Sequence, residues 1–151
     1  MTPLKARAQH IIAAVRSPLP PLFFVTDPRI HDPRVSAKNL PSGSAIIYRH
    51  FGDPNRHDIA ADLRNIAFEG QHLFLIGADP ELALSCGADG VHFPETDIAL
   101  AAIWRERIPD WFLSAATHDM DSIIEANAAP LNAVTLSPVF KTDSPGSGTP
   151  L

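Results

Sequence analysis

The sequence predicts an α/β fold with a parallel sheet of the barrel type, and three observations carry the prediction. Short β-branched or aromatic runs recur roughly every twenty residues. Segments with helical spacing and helix-start signals lie between most of them, so the connections are long enough for right-handed crossovers. Polar residues then collect just after the apolar runs, where the C-terminal ends of parallel strands would sit.

Taken in order, "MTPLKARAQHIIAAVRS" places Leu4, Ala8, Ile11, Ile12 and Val15 at helical spacing and reads as a first helix laid over the end of the domain. Its longest apolar run, Ile11 to Val15, is too short for the core of a signal peptide, and no run reaches membrane-spanning length. The expectation is a cytoplasmic protein without a membrane partner. The first strand is "LFFVT", Leu22 to Thr26. Asp27 to Gly43 follows with three prolines and little periodicity, an irregular stretch that is either a flap over a site or a degenerate helix.

The second strand is "AIIYR", Ala45 to Arg49, and "HDIAADLRNIAFEG" is its crossover helix. The third is "HLFLI", His72 to Ile76, with Asp79 as N-cap and Pro80 at the first position of the helix "PELALSCG". The fourth is "GVHF", Gly90 to Phe93, followed by Thr96 before the helix "DIALAAIWRER". The fifth, "WFLSA", spans Trp111 to Ala115, with Thr117 or Asp119 capping "DMDSIIEANAA". The sixth, "AVTLS", spans Ala133 to Ser137 and runs into "PVFKTDSPGSGTPL", a loop rich in backbone N–H donors and suited to an anion.

Composition narrows the partners. With 151 residues, 45% of them hydrophobic, the chain suits one domain, 1–151, with a buried core. A net charge of −5 and no Lys/Arg cluster leave nothing for a phosphate backbone to bind, which excludes nucleic acid. The single cysteine, Cys86, excludes an internal disulfide framework and sits in a helix-packing context. Neither an H-x-x-x-H pattern nor His/Cys spacing marks a zinc site, although His31, His50 and His57 fall near strand ends.

Two architectures use such strand–helix units, the open doubly wound sheet and the closed eight-stranded barrel. An open dinucleotide sheet should carry G-x-G-x-x-G after its first strand, and "VTDPRIHD" lacks it. The polar strand ends favour the barrel: Asp27, Arg49 and His50, Gly77 to Asp79, His92 to Asp97, then Thr117 and His118.

These residues resemble the thiamine phosphate synthase and thiazole tautomerase superfamily over nearly the whole chain from Leu22. "LFFVTD", "IIYRHFG", "ADPELALSCGADGVHFPETD", "SAATH" and "AVTLSPVFKTDSPGSGTPL" carry the likeness, the third most specifically. The resemblance implies a (β/α)8 TIM barrel of which about six units are present, with strands 7 and 8 missing and the chain apparently truncated. It also implies a pathway of thiamine biosynthesis, with small-molecule thiamine intermediates as partners. The oligomeric state stays open, a homo-oligomer included.

The synthase joins a pyrimidine diphosphate to a thiazole phosphate with loss of pyrophosphate, and needs magnesium with cationic side chains on the leaving group. Its Gln-x-Arg-x-Lys after strand 2 falls on Ile47, Arg49 and Phe51, so the arginine alone survives. Its Asn-Asp pair falls on Gly77 and Ala78, its serine near strand 5 on Ala116, and its loop lysine on Pro145. Asp97 still matches the second metal carboxylate, and Thr142 matches with Lys141 nearby.

What persists fits the tautomerase branch better, in which a histidine after strand 5 shifts a proton on a thiazole carboxylate phosphate. His118 matches that position, and an ordinary imidazole both accepts and donates near neutral pH. The expected catalytic residues are His118 and Arg49, with Asp27, Thr117, Lys141, Thr142, Ser144, Gly146 and Gly148 on the substrate and Asp97 as a metal ligand. No cofactor is expected for tautomerisation, and Mg2+ for synthase chemistry. A divergent synthase, or a protein that binds thiamine intermediates without turnover, are the other readings.

Overall fold

Ala45–Tyr48 is a run of four wholly buried residues, and such a run can be satisfied only where both faces of a strand are covered. In the computed structural model, which describes residues 3–4, 6–8, 10, 18–29 and 31–140, it forms the middle strand of a parallel set. The chain divides into two compact units, 1–89 and 90–151. Each is α/β and repeats the same strand–helix order.

In the first unit, β1 (Phe23–Val25) pairs with β2 (Ala45–Tyr48), which pairs with β3 (Leu73–Gly77), all parallel, with Phe24 opposite Ile46 and Ile46 opposite Phe74. The core is Ile46, Ile47, Phe74, Leu75 and Ile76 against Ile59, Leu63 and Ile66 of the crossover helix. The proline-rich stretch after β1 contains a short helix, α1 (Pro33–Ala37), capped by the Asp32 side chain, with Pro33 pre-set at the first position. It is the degenerate-helix alternative, five residues being too few to show a period. α2 (Arg56–Gly70) follows β2, and α3 (Pro80–Cys86) follows β3 with Asp79 accepting from the Leu82 N–H as its cap. Both helices end on a left-handed residue, Gln71 and Gly87. Cys86 at the end of α3 is partly buried, and burial pushes its thiol above the ordinary pKa, away from reactivity.

In the second unit, β4 (Gly90–Phe93), β5 (Phe112–Thr117) and β6 (Ala133–Leu136) are again parallel, with Gly90 opposite Phe112 and Thr117 opposite Leu136. Gly90 is required there, because a Cβ would overlap the Phe112 backbone. A 3-10 turn, Glu95–Asp97, precedes α4 (Leu100–Arg107), so this helix starts later than Thr96 suggests and has no side-chain cap. Trp104 and Trp111 stack at 5.3 Å, with the Arg107 guanidinium 4.5 Å from the Trp104 ring centre. α5 (Met120–Ala128) opens on a full capping box between Asp119 and Ser122.

The expected first helix is seen at residues 3–4, 6–8 and 10, which are helical; the rest of that expectation lies outside the described residues. So does the loop Lys141 to Leu151. No helix among the described residues is long and apolar enough to cross a membrane.

Candidate functional site

At the strand ends of the first unit, the Arg49 backbone N–H donates to the buried Thr26 hydroxyl at 2.9 Å, tying the end of β2 to that of β1. Its side chain is exposed, and no carboxylate pairs with it among the described residues. Asp27 is taken by Arg29, whose Nε donates to both carboxylate oxygens at 2.9 and 3.1 Å. That guanidinium holds the carboxyl well below the usual range, with the Arg29 backbone N–H helping.

Arg56, the first residue of α2, is anchored at the end of β3. Its Nη1 donates to Asp79 Oδ2 at 2.6 Å and its Nη2 to the Gly77 carbonyl at 3.2 Å, while its guanidinium lies 5.4 Å from the Phe51 ring centre. Ala78, between the two acceptors, has φ +57°, a left-handed conformation that costs a non-glycine residue about 1 kcal/mol. Neither Arg56 nor Arg29 stood out in the sequence. The available signal was an arginine in the first turn after a polar strand end.

Buried polar groups lie behind this surface. His50 is 4% exposed, its ring 5.1 Å from that of Tyr48, and neither its Nε2 nor the Tyr48 hydroxyl has a partner among the described residues. Burial lowers the His50 pKa and pushes that of Tyr48 up to about 12. His31 Nε2 meets the Ser36 hydroxyl at 2.6 Å, and His57 is exposed on α2.

At the strand ends of the second unit, His118 follows β5 directly and is exposed. Its Nδ1 lies 2.6 Å from the Ser137 carbonyl oxygen just past β6. A carbonyl only accepts, so Nδ1 carries a proton, and in the neutral ring the lone pair is on Nε2. The His118 backbone N–H donates to the Ser122 hydroxyl at 3.0 Å, which fixes the residue at the helix entrance. Asp119 caps the same turn, and the Ser122 N–H and hydroxyl lower its pKa.

Thr117 is fully buried and donates its hydroxyl to the Thr135 carbonyl at 3.2 Å. Deeper on β4 and β5, His92 Nδ1 meets the Ser114 hydroxyl at 2.9 Å, both groups buried. Asp97 is half-buried in the 3-10 turn and accepts from the Thr96 hydroxyl at 3.1 Å. Lys141, Thr142, Ser144, Gly146 and Gly148 lie outside the described residues.

Magnesium, if present, would need oxygen donors. No three His, Cys, Asp or Glu side chains converge among the described residues. In the first unit, Asp79 spends one oxygen on Leu82 and the other on Arg56. In the second unit Asp97 shares its 3-10 turn with Glu95, whose buried Oε2 has no partner among the described residues, but no third ligand joins them there, so the described residues do not make a magnesium site by themselves.

Parallel strand–helix units with polar side chains gathered at the strand ends define a chain of the α/β class, consistent with part of a TIM-like barrel. Residues 22–151 match the family model described as thiamine monophosphate synthase, and the chain belongs to that family. It is 32% identical over 94 residues to a thiamine-phosphate synthase of Gloeobacter violaceus, covering 62% of this chain and 28% of that protein. A thiamine-phosphate synthase of Anoxybacillus flavithermus is 37% identical over 71 residues, covering 47% of this chain and 32% of its own length. Among solved structures, a thiamine phosphate pyrophosphorylase from Pyrococcus furiosus superposes with a TM-score of 0.68 at 25% identity, over 81% of this chain and 62% of that one. The chain thus spans about a third of the two synthases and under two thirds of the solved relative.

Proposed function

We propose that this chain acts in thiamine biosynthesis on a phosphorylated thiazole, and that His118 carries the proton in a tautomerase-like step. The observation that carries this reading is the His118 Nδ1 contact to the Ser137 carbonyl, which leaves Nε2 as the one acceptor on an exposed ring. Nε2 takes a proton from one position of the substrate and returns it at another, so the bonds rearrange without net oxidation and no cofactor is required. Arg49 with Asp27 in the first unit, and the loop residues Lys141, Thr142, Ser144, Gly146 and Gly148 in the second, are the candidates for substrate contact, while Thr117, buried with its hydroxyl on the Thr135 carbonyl, supports its strand end from behind. The six strand–helix units are read as part of a (β/α)8 barrel, and the cytoplasm as the place of work.

A second reading, a divergent synthase, is favoured by the activity for which the similar proteins are named. It would couple pyrimidine diphosphate to thiazole phosphate with release of pyrophosphate, and Asp97 would be one magnesium anchor.

A paired turnover assay separates the readings. One arm supplies pyrimidine diphosphate, thiazole phosphate and magnesium; the other follows isomerisation of the thiazole carboxylate phosphate. The expected outcome is isomerisation that falls by about a hundredfold or more in His118→Ala, with the thermal midpoint little changed because the ring is exposed. Thiamine phosphate formation instead would establish the second reading, and binding without turnover in either arm a non-catalytic protein.

A further inference from the structure

We propose that Phe51 is a stacking platform for the planar ring of an anionic heteroaromatic ligand, with Arg49 taking the ligand's phosphate or carboxylate. This deepens the function proposed above and rests on it only for the identity of the ring. All the residues involved belong to the first unit.

Phe51 is 52% exposed, and a single exposed aromatic residue is ordinary on a protein surface. Its surroundings are not ordinary. The Arg56 guanidinium stands over one face of the ring, and that cation is itself fixed by Asp79 and the Gly77 carbonyl. Arg56 has only 15% of its side chain exposed, so it backs the ring and does not compete for solvent.

The ring edge and the Arg49 stem both run over Gly77. A Cβ there would stand 3.0 Å from Arg49 Cγ, 3.1 Å from the Tyr48 carbonyl and 3.4 Å from Phe51 Cζ. A side chain at position 77 would therefore crowd the Arg49 stem and the Tyr48 carbonyl while only touching the ring, and glycine lets the Arg49 stem lie low beside Phe51 at the end of β3. Beside the ring is an arginine with no carboxylate partner among the described residues. Of the nearby carboxylates, Asp27 and Asp79 are each paired with another arginine, with the Arg49 charge also acting on Asp27, while Asp53 accepts the Asn55 N–H and has no arginine partner among the described residues. Both Arg56 amino nitrogens are engaged, so Arg49 is the cation with donors to spare.

An aromatic face held rigid from behind, next to an uncommitted guanidinium, recognises a flat ring that bears an anion. The ring is read by stacking and the anion by charge-assisted hydrogen bonds. Aliphatic phosphates would use the second feature and not the first.

Calorimetric titration of the purified chain tests this. The planar probes are thiazole phosphate, pyrimidine diphosphate and adenosine monophosphate; the ringless probes are inorganic pyrophosphate and glycerol phosphate. Phe51→Leu is expected to weaken every planar probe that binds by roughly tenfold and to leave the ringless anions unchanged. Phe51→Tyr should retain planar binding. If the selective loss is seen with adenosine monophosphate but the thiamine precursors do not bind, the platform stands and the proposed function fails. Equal loss for ringless anions, no loss in Phe51→Leu, or no planar probe binding better than a ringless one would each overturn the platform.

Discussion

The two units use one device at the opposite end of their strands, and they build it from different chemistry. In the first unit, Asp89, the residue before β4, donates its N–H to the Phe74 carbonyl at 2.8 Å and accepts the Phe74 N–H on its side chain at 2.8 Å. Arg64 of α2 pairs with that carboxylate at 3.5 Å. In the second unit, Asn132, the residue before β6, does the same to Leu113, at 2.7 and 2.8 Å. Arg105 of α4 donates to the Asn132 side chain at 2.6 Å.

Phe74 and Leu113 are each the second residue of their strand. A polar residue just before a later strand thus clamps the start of an earlier one, and a helical arginine holds the clamp. The difference lies in the arginine. Arg64 makes a long, part-exposed ion pair, whereas Arg105 also donates to the carbonyls of Pro109, Trp111 and Pro130. The neutral clamp's arginine is thereby a hub for the surrounding loops.

The largest expected effect breaks that hub. Arg105→Met should cost about 3 kcal/mol, since several carbonyls lose a charged donor, while Arg64→Met should cost under about 1 kcal/mol. Urea unfolding of the two variants measures both, and equal losses would erase the distinction.

Acid should separate the units next. In the first, burial lowers the pKa of His50 and His72, and His72 Nδ1 has no partner among the described residues. In the second, His92 is hydrogen-bonded to Ser114. Below the ordinary histidine value of about 6.5, the unfolded chain takes up protons that His50 and His72 refuse when folded. Stability is then full above that pH, falls as the pH drops, and levels off once the folded values are passed. Unfolding midpoints at about pH 7.5 and about pH 5.5 should lie closer together in His72→Leu than in the parent.

The smallest effect sharpens the comparison. Asp89→Asn makes the first clamp resemble the second, and should change stability by less than about 0.5 kcal/mol while removing its salt dependence. A larger loss would show that the charge, not the hydrogen bond to Phe74, holds that strand start.

Much of this architecture was legible because the strands are short apolar runs with clear ends. Gly90–Phe93 falls where the sequence places it, and Ala45 and Ala133 open their strands as expected. β5 runs two residues past the expected Ala115: Ala116 is small and Thr117 polar, so neither marks a strand, yet both pair with β6. The helix Pro33–Ala37 was only half legible, its cap and proline being visible and its period not.

At the strand ends, the position of His118 follows from the end of β5, but its Ser137 partner is nineteen residues away and left no local mark. Likewise Arg56 and Asp79, twenty-three residues apart, are an ordinary helix-start pair in sequence and meet only once α2 and α3 are in place. Phe51 was visible as a departure from a resemblance, and its setting over Gly77 needed coordinates.

The Ser137 carbonyl against His118 has a stereochemical consequence. With Nδ1 tethered, the ring presents one nitrogen and one direction of approach. Under the proposed function, a proton taken from a flat substrate by that nitrogen and returned by it comes back to the face it left.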